Sequence, residues 1–416
     1  MPTLIYVRNY FMQKLERKDA KQLTLLCAAA YFVSYLTRVN FAAVIAAIIQ
    51  AGDIDKASAG LVTTLGFITY GVGQLISGWL GDRINPKMLM VIGFATTVAM
   101  NLLIPFCPSG AWMCVVWAFN GFAQSFMWPP MVKIMSSAMN SDDYNKGCVV
   151  VSWGSTIATI LIYLVSPLII KFAGWRTVFF VYGAVAVLIS TIWYAKITAI
   201  EKKCEIVYPM HQKSKNGGKM AIKISIPLLI IVMLTIMLQG SLRDGVTTWV
   251  PTFVSESFNL GSEISILSSV IIPLLSLASL QLTGVIYNKL GKKPFKSSGL
   301  FFICAVTAAV LLVFFKGSSV ILTVAMSALI VACMHGINLI LVCFLPAALA
   351  DDDNVSTLSG LLNFMTYVGS AASTYGFALL SESFGWNGTV VSWLVITMLG
   401  TSACIICHKA TKRLKF

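Results

Sequence analysis

Two arginines lie within long apolar stretches of this sequence, where a permanent charge is unusual. Arg38 lies in the stretch YLTRVNFAAVIAAI, and Arg243 lies in a second apolar run that contains RDGVTTWVPTF. A guanidinium stays protonated and presents its N–H donors as a planar fork that matches phosphate or carboxylate. At mid-bilayer depth such a charge costs about 2.5–3.5 kcal/mol on insertion scales, so it usually faces water or a partner. The chemistry that suits both arginines is the binding of an anion in a wet cavity.

A structural acid is the alternative partner for each arginine, and the apolar stretches contain few acids. Glu256 and Glu263 lie near the ends of such stretches, whereas Asp244 directly follows Arg243. Neighbouring side chains on a helix point about 100° apart, so Asp244 is predicted to be poorly placed to neutralise Arg243. The sequence therefore favours ligand binding over structural pairing for both arginines.

Polar and aromatic residues accompany the arginines at helical spacing. Because polar groups at membrane depth must face protein or water, such stripes are predicted to line the cavity, with helix packing as the alternative for any single tyrosine. His335 adds a titratable group, and a neutral packing histidine is an equally good interpretation of it. The candidate lining residues are Tyr31, Tyr35, Tyr70, Gln74, Gln124, Trp128, His335, Asn363 and Tyr367.

The composition indicates a protein of the lipid bilayer. Of the 416 residues, 57% are hydrophobic and only 11% are charged, and apolar stretches of about 20 residues recur along the whole chain. This predicts an all-α integral membrane protein with twelve transmembrane helices in two six-helix bundles. The predicted spans cover residues 22–50, 57–81, 88–107, 110–138, 147–171, 175–196, 224–254, 263–288, 297–315, 319–349, 356–381 and 386–408.

The basic residues indicate topology rather than nucleic-acid binding, although the formal net charge is +14. Most of the 30 lysines and arginines fall before the first span, in the central loop, after the last span and in loops on that same face. Both termini are therefore predicted to be cytoplasmic in an inner or plasma membrane. Basic residues before the first span, and an apolar run that continues past Ala30, favour an uncleaved end over a signal peptide.

Weak internal similarity divides the chain into two halves. SGWLGDRINPK resembles TGVIYNKLGKK, and GWRTVFF resembles GWNGTVV, each pair about half the chain length apart. The predicted domains are residues 1–198 and 223–416, joined by a polar linker at 199–222. Lys133 and the Asp351–Asp353 run are predicted to be charges near the inner surface with no transport role. The loops of the first motif pair supply the candidate conformational-gating residues Gly78, Asp82, Arg83, Asn288 and Lys289.

These motifs resemble those of the major facilitator superfamily and, within it, the organophosphate:phosphate antiporter family. The resemblance rests on YLTRVNF, GDRINPK, NGFAQSFMWPP, RDGVTTWVPTF and FGWNG, which are spread over nearly the whole chain. It implies that Arg38 and Arg243 each contribute to a central phosphate site and that Tyr31, Tyr35, Tyr70 and Tyr367 line the cavity. The implied activity is exchange of a small organophosphate or related organic anion for inorganic phosphate by rocker-switch alternating access.

Departures from that family keep other functions open. Gln74 stands where relatives commonly carry a lysine, and Ile157 stands where glycerol-phosphate members carry a histidine, so a dianionic sugar phosphate is a less certain ligand. One alternative is a proton-coupled organic-anion symporter, for which His335 or Asp244 would have to supply the titratable group. The other is a transporter-like membrane sensor of a sugar phosphate. No nucleophile motif, metal-ligand spacing or phosphate-binding glycine loop predicts an enzyme, a cofactor or a metal, and a monomer is expected.

Overall fold

The computed structural model describes residues 14–54, 56–208, 224–259, 271–315, 318–350 and 354–411. The regular elements in these ranges are helices, which confirms the all-α class. They are α1 (Arg17–Leu36), α2 (Asn40–Gln50), α3 (Lys56–Gly81), α4 (Pro86–Leu103), α5 (Gly110–Gln124), α6 (Trp128–Ala138), α7 (Ser141–Ala173), α8 (Trp175–Lys203), α9 (Ile226–Phe258), α10 (Ile271–Lys289), α11 (Pro294–Phe315), α12 (Val320–Asn338), α13 (Leu345–Leu349) and α14 (Val355–Ala410). A short 3-10 helix (Ile104–Phe106) follows α4, and a π-helix (Leu339–Phe344) connects α12 to α13.

The described residues of the predicted spans are mainly helical, although four spans differ in detail and residues 263–270 of the eighth lie outside the described residues. Ten helical stretches of the described residues are long and apolar enough to cross a membrane. The first predicted span is interrupted between α1 and α2. The fourth is divided into α5 and α6 shortly before Pro129 and Pro130, because proline cannot donate the backbone hydrogen bond that a continuous helix needs. The last two spans form α14, in which Gly385 adopts a positive φ of 63°.

The chain forms two compact units. Unit 1 comprises the described residues within Met1–Met220 and Asp351–Gly360, and unit 2 comprises those within Ala221–Ala350 and Leu361–Phe416. Helix α8 extends to Lys203, into the predicted linker, and linker residues 209–222 lie outside the described residues. The exact domain boundaries therefore stay a prediction.

Close helix approach within each unit depends on glycine. In unit 1, a Cβ at Gly121 would meet the backbone of Gly66. In unit 2, a Cβ at Gly240 would meet the backbone of Thr366, and one at Gly369 would meet that of Met237. Small residues let helix backbones approach in a membrane, where tight van der Waals packing replaces the hydrophobic effect. These contacts set α3 against α5 and α9 against α14, the helices that carry several candidate site residues.

The two GW motifs have the same local structure. Gly174 and Gly385 adopt positive φ angles of 77° and 63°, a conformation that side chains disfavour. In unit 1 the indole nitrogen of Trp175 donates to Asp53 at 2.9 Å. In unit 2 the indole nitrogen of Trp386 donates to Glu256 at 2.7 Å. The weak sequence repeat therefore corresponds to a repeated structural feature: a glycine turn followed by an indole that binds a carboxylate.

Candidate functional site

Arg38 lies at a break in the first transmembrane segment. Helix α1 ends at Leu36 and α2 begins at Asn40, so Arg38 is part of the turn between them. Its guanidinium carbon lies 4.2 Å from the ring centroid of Tyr35 and 4.5 Å from that of Tyr70. Both distances are within the range of cation–π attraction. Unit 1 thus brings three of the predicted site residues together around one partly buried cation.

Buried amide side chains stabilise this break. The backbone carbonyl of Thr37 accepts hydrogen bonds from Asn101 Nδ2 at 3.0 Å and from Asn120 Nδ2 at 3.1 Å. Asn40 donates to Asn101 Oδ1 at 2.8 Å, and its own Oδ1 accepts from the Phe41 backbone N–H at 3.0 Å. A helix end at membrane depth cannot rely on bulk water, so these amides satisfy groups that the break exposes. They fix the backbone from which Arg38 projects.

Asn40 and Asn101 are positioning residues that were not predicted from the sequence. Both are fully buried, and each is an isolated amide within a predicted span. Their sequence context could have indicated such a role, because asparagines on two different apolar helices need polar partners at membrane depth. Sequence alone did not show that the partner would be a helix break beside Arg38.

The remaining predicted residues of unit 1 divide between aromatic contacts and helix packing. Tyr31 lies 5.1 Å from Tyr35 and 5.2 Å from Trp128, measured between ring centroids. Gln124 is fully buried; its Oε1 accepts from Ser34 at 2.6 Å, and its Nε2 donates to Thr37 Oγ1 at 2.9 Å. The aromatic residues adjoin Arg38 through Tyr35, while Gln124 supports the end of α1.

Gln74 is fully buried, and its Nε2 lies 3.4 Å from the backbone carbonyl of Ser125. A Cβ on Gly360 would meet the backbone of Gln74, so the backbone of this residue belongs to a tight helix contact. A direct ligand contact for Gln74 stays a prediction.

Three indole N–H groups of unit 1 are buried with no acceptor among the described residues. They belong to Trp128, which was predicted, and to Trp153 on α7 and Trp193 on α8, which were not. Leaving a buried donor unsatisfied costs about 1–3 kcal/mol, so such groups call for an acceptor such as water or a ligand oxygen. Trp153 was not predicted from the sequence, because a tryptophan in a span is normally assigned to packing.

Unit 2 pairs Arg243 with its neighbour Asp244, so the prediction that Asp244 is poorly placed is wrong. Arg243 Nε lies 2.7 Å from Asp244 Oδ1, and Nη2 lies 2.8 Å from Oδ2. The 100° between adjacent residues of a helix sets the directions of the Cα–Cβ bonds, but it does not set the positions of the side-chain ends. Arginine has a long flexible stem, so its guanidinium turns back along the helix to meet the carboxylate.

Residues from α12 and α14 surround this ion pair. Ser370 donates to Asp244 Oδ2 at 2.5 Å, and the ring centroid of Tyr367 lies 5.9 Å from the Arg243 guanidinium carbon. The partly buried His335 lies within electrostatic range of both charges. Asn363 is buried one helical turn before Tyr367. Unit 2 therefore brings Arg243, Tyr367 and His335 together beside the Asp244 carboxylate, and their lining of a ligand cavity stays a prediction.

The GDRINPK motif contains a buried ion pair with Lys133 that the sequence did not indicate. Lys133 is 1% exposed and its Nζ lies 3.0 Å from Asp82 Oδ1. Its position near the inner membrane surface stays a prediction. The carboxylate of Asp82 also accepts from the backbone N–H groups of Ser356 and Thr357, at 3.1 and 2.6 Å. Asp82 thus binds a cation and the N-terminal turn of α14, where a helix dipole favours negative charge. The Asp351–Asp353 run lies outside the described residues.

The other predicted gating residues have less extensive contacts. A Cβ on Gly78 would lie 2.8 Å from the backbone oxygen of Ser356, so Gly78 permits the approach of α14 to α3. Arg83 stacks on Trp79, with its guanidinium carbon 4.3 Å from the ring centroid. Asn288 and Lys289 are exposed at the end of α10. A gating role for all five residues stays a prediction.

An ion pair at the membrane-span ends connects Asp53 in the α2–α3 loop to the first turn of α8. Arg176 donates to Asp53 at 2.7 Å and to the backbone carbonyl of Pro105 at 3.1 Å. Burial of Asp53 opposes its ionisation, but hydrogen bonds from Arg176 and Trp175 outweigh this and hold the pKa of the carboxyl below its usual value of 3.8. This cluster has no predicted ligand role.

A family model described as the Major Facilitator Superfamily matches residues 27–374, which is most of the chain. The chain belongs to this superfamily. Among solved structures, a bacterial homologue of the iron transporter ferroportin in an outward-facing state aligns with a TM-score of 0.75 and 12% identity, covering 93% of this chain and 99% of that one. FucP, a superfamily transporter in the outward conformation, aligns with a TM-score of 0.70 and 12% identity, covering 96% and 100%. At this identity the structures establish the fold alone.

Curated relatives carry names that concern phosphate esters. The glycerol-3-phosphate transporter of Bacillus subtilis is 25% identical over 399 residues, covering 89% of this chain and 87% of that protein. The membrane sensor protein UhpC of Salmonella typhimurium is 29% identical over 162 residues, covering 39% of this chain and 37% of that protein. These relatives confirm the resemblance to the organophosphate:phosphate antiporter family. This chain is a multi-pass membrane protein of a transporter superfamily, and it is not an enzyme.

Proposed function

We propose that this protein exchanges a small organophosphate or related organic anion for inorganic phosphate by rocker-switch alternating access. Arg38 and Arg243, one from each half of the chain, bind the anion, and both termini lie in the cytoplasm. The observation that carries the proposal is the placement of Arg38 in a helix break, between the rings of Tyr35 and Tyr70. Relatives named as phosphate-ester transporters support the choice of ligand.

The surroundings of Arg38 suit an oxyanion ligand. A ring face stabilises a cation through its quadrupole but does not neutralise its charge, so an anion still gains from binding there. The buried indole N–H of Trp128 adds a hydrogen-bond donor in the same aromatic group. A guanidinium and neutral N–H donors together match the acceptor-only oxygens of a phosphate group.

A sensor of sugar phosphates is the second candidate function. The sensor UhpC relatives match the chain over 39% and 38% of its length, while the glycerol-3-phosphate transporter relative matches over 89%. The longer match favours transport. A sensor would bind the same ligand without moving it, so flux decides between the two functions.

The test is counterflow in proteoliposomes loaded with inorganic phosphate. We expect uptake of labelled glycerol 3-phosphate that requires internal phosphate and persists when a protonophore collapses the pH gradient. Binding without flux would favour the sensor, and uptake into phosphate-free vesicles driven by external acid would favour a symporter.

Arginine substitutions test the binding residues separately. A charge-assisted hydrogen bond contributes about 1.5–3 kcal/mol, so Arg38→Lys or Arg243→Lys should weaken phosphate binding roughly 10- to 150-fold through loss of one contact of the fork. The control is Arg17→Lys, the same change at an exposed position of α1, which should bind normally. A variant that unfolds at lower temperature but binds phosphate with unchanged affinity would identify that arginine as a structural partner.

A further inference from the structure

A carboxylate of its own chain binds Arg243 in a two-pronged geometry. The Nε and Nη2 atoms lie 2.7 and 2.8 Å from the two oxygens of Asp244. Arginine binds the oxygens of a phosphate or carboxylate ligand in this same way. Asp244 therefore takes at Arg243 a position that the proposed function gives to an oxygen pair of the transported anion.

The carboxylate is held in place but is accessible. Ser370 on α14 donates to Asp244 Oδ2, so two helices of unit 2 orient the group. The side chain of Asp244 is 35% exposed, whereas that of Arg243 is 12% exposed. The titratable and charged groups that face Asp244 are Arg243 on its own helix, His335 on α12 and, across Arg243, Tyr367 on α14. A proton can therefore reach a carboxylate whose main charge partner is the proposed ligand-binding group.

We infer that Asp244 is a resident counter-anion of Arg243, and that a transported anion displaces it together with the uptake of one proton. Two anionic groups sharing one guanidinium repel each other, so binding of the second favours protonation of the first. The proton comes from water, forms one O–H bond on the Asp244 carboxyl group and returns to water when the anion leaves. The inference rests on the proposed function, because it requires an anion at Arg243.

Ion pairing at Arg243 also has a consequence for ligand charge. An anion that displaces Asp244 without a proton would leave a second negative charge beside Arg243. When the anion binds and Asp244 takes up a proton, the neutral Asp244 adds no charge. The cluster then has the net charge that Arg243 and the anion would have by themselves. Proton uptake therefore lets Arg243 accept an anion despite its acidic neighbour.

The experiment compares binding of inorganic phosphate to the full-length wild type and to Asp244→Asn across mildly acidic to mildly alkaline pH. Because Asp244 can also change the preference between the two ionised forms of phosphate, both proteins are titrated with sulfate as well, and the ratio of the two sulfate Kd values isolates the effect of Asp244. We expect this ratio to change by up to about tenfold per pH unit, with the wild type gaining affinity as the pH falls. Asp53→Asn removes another arginine-paired carboxylate, outside the spans, and its Kd should keep the wild-type pH dependence.

Titration calorimetry of the wild type with sulfate provides a measurement that does not need the variant to fold. Sulfate keeps its charge over this pH range, so buffers of different ionisation enthalpy report proton uptake by the protein alone. About one proton per sulfate is expected at neutral pH.

Parallel pH dependence in wild type and Asp244→Asn, or no proton uptake with sulfate, overturns the inference and leaves the exchange function standing. Loss of the pH dependence in His335→Gln but not in Asp244→Asn also overturns it, because it assigns the proton to the imidazole. Failure of the wild type to bind phosphate at any pH overturns both the inference and the proposed function.

Discussion

The ion pair between Asp82 and Lys133 allows a quantitative prediction about stability. The two side chains are 0% and 1% exposed, with Nζ and Oδ1 3.0 Å apart. Removing one partner of a buried pair leaves an uncompensated charge and typically costs about 3–5 kcal/mol, whereas replacing both partners is often neutral or stabilising. Lys133→Met and Asp82→Asn should therefore each destabilise the protein strongly, and the double variant should recover most of the loss.

The structure also predicts the order of the two single variants. After Lys133→Met, the carboxylate of Asp82 still accepts from the backbone N–H groups of Ser356 and Thr357, so the cost should fall near the lower limit of that range. After Asp82→Asn, the amide oxygen keeps part of this hydrogen bonding, but the buried ammonium loses its carboxylate. We expect Asp82→Asn to be the less stable single variant.

The assay is thermal unfolding of the purified variants in detergent, analysed as a double-mutant cycle. Lys14→Met is the matched control, because exposed Lys14 donates to the backbone carbonyls of Ser136 and Ser137 at the end of the helix that carries Lys133. This control should change stability by less than about 1 kcal/mol. A double variant less stable than both single variants would refute the assignment of a charge pair and indicate independent packing roles.

Two further predictions concern positioning and pH. Asn101→Leu keeps the number and branching of the side-chain heavy atoms but removes hydrogen bonds to the Thr37 carbonyl and to Asn40, so phosphate affinity should fall about tenfold, measured by titration, with a protein that still unfolds cooperatively. The lowered pKa of Asp53 means that its ionised form stabilises the fold above pH 3.8 and that this contribution disappears as the pH falls through the folded-state pKa. The difference in thermal unfolding temperature between wild type and Asp53→Asn should therefore shrink below about pH 4, and a constant difference would contradict this assignment.

The sequence was sufficient to predict features that depend on composition and periodicity. Apolar length predicted the helical spans, and helical spacing brought Tyr35 beside Arg38, as the structure finds. The weak GW repeat also corresponds to a repeated turn. These features are local, or they follow from the requirement that an apolar segment forms a helix in a bilayer.

Side-chain reach and long-range partners were not predictable in the same way. Helical geometry gave the wrong result for Asp244, because a flexible arginine can bend toward an adjacent residue. Lys133 and Asp82 are distant in sequence, so no periodicity indicated that they pair. The break beside Arg38 depends on amides from α4 and α5, and no glycine or proline within YLTRVNF marks it.

The two arginines have different partners, and this difference separates their roles in the proposed site. The rings of Tyr35 and Tyr70 contact the Arg38 guanidinium without neutralising it, whereas the carboxylate of Asp244 offsets the charge of Arg243. Under the proposed function, the gain that an anion makes at Arg243 depends on displacing this internal competitor. Protonation of Asp244 would therefore control the attraction at Arg243, and we expect Asp244→Asn to alter the preference between ligands of different charge.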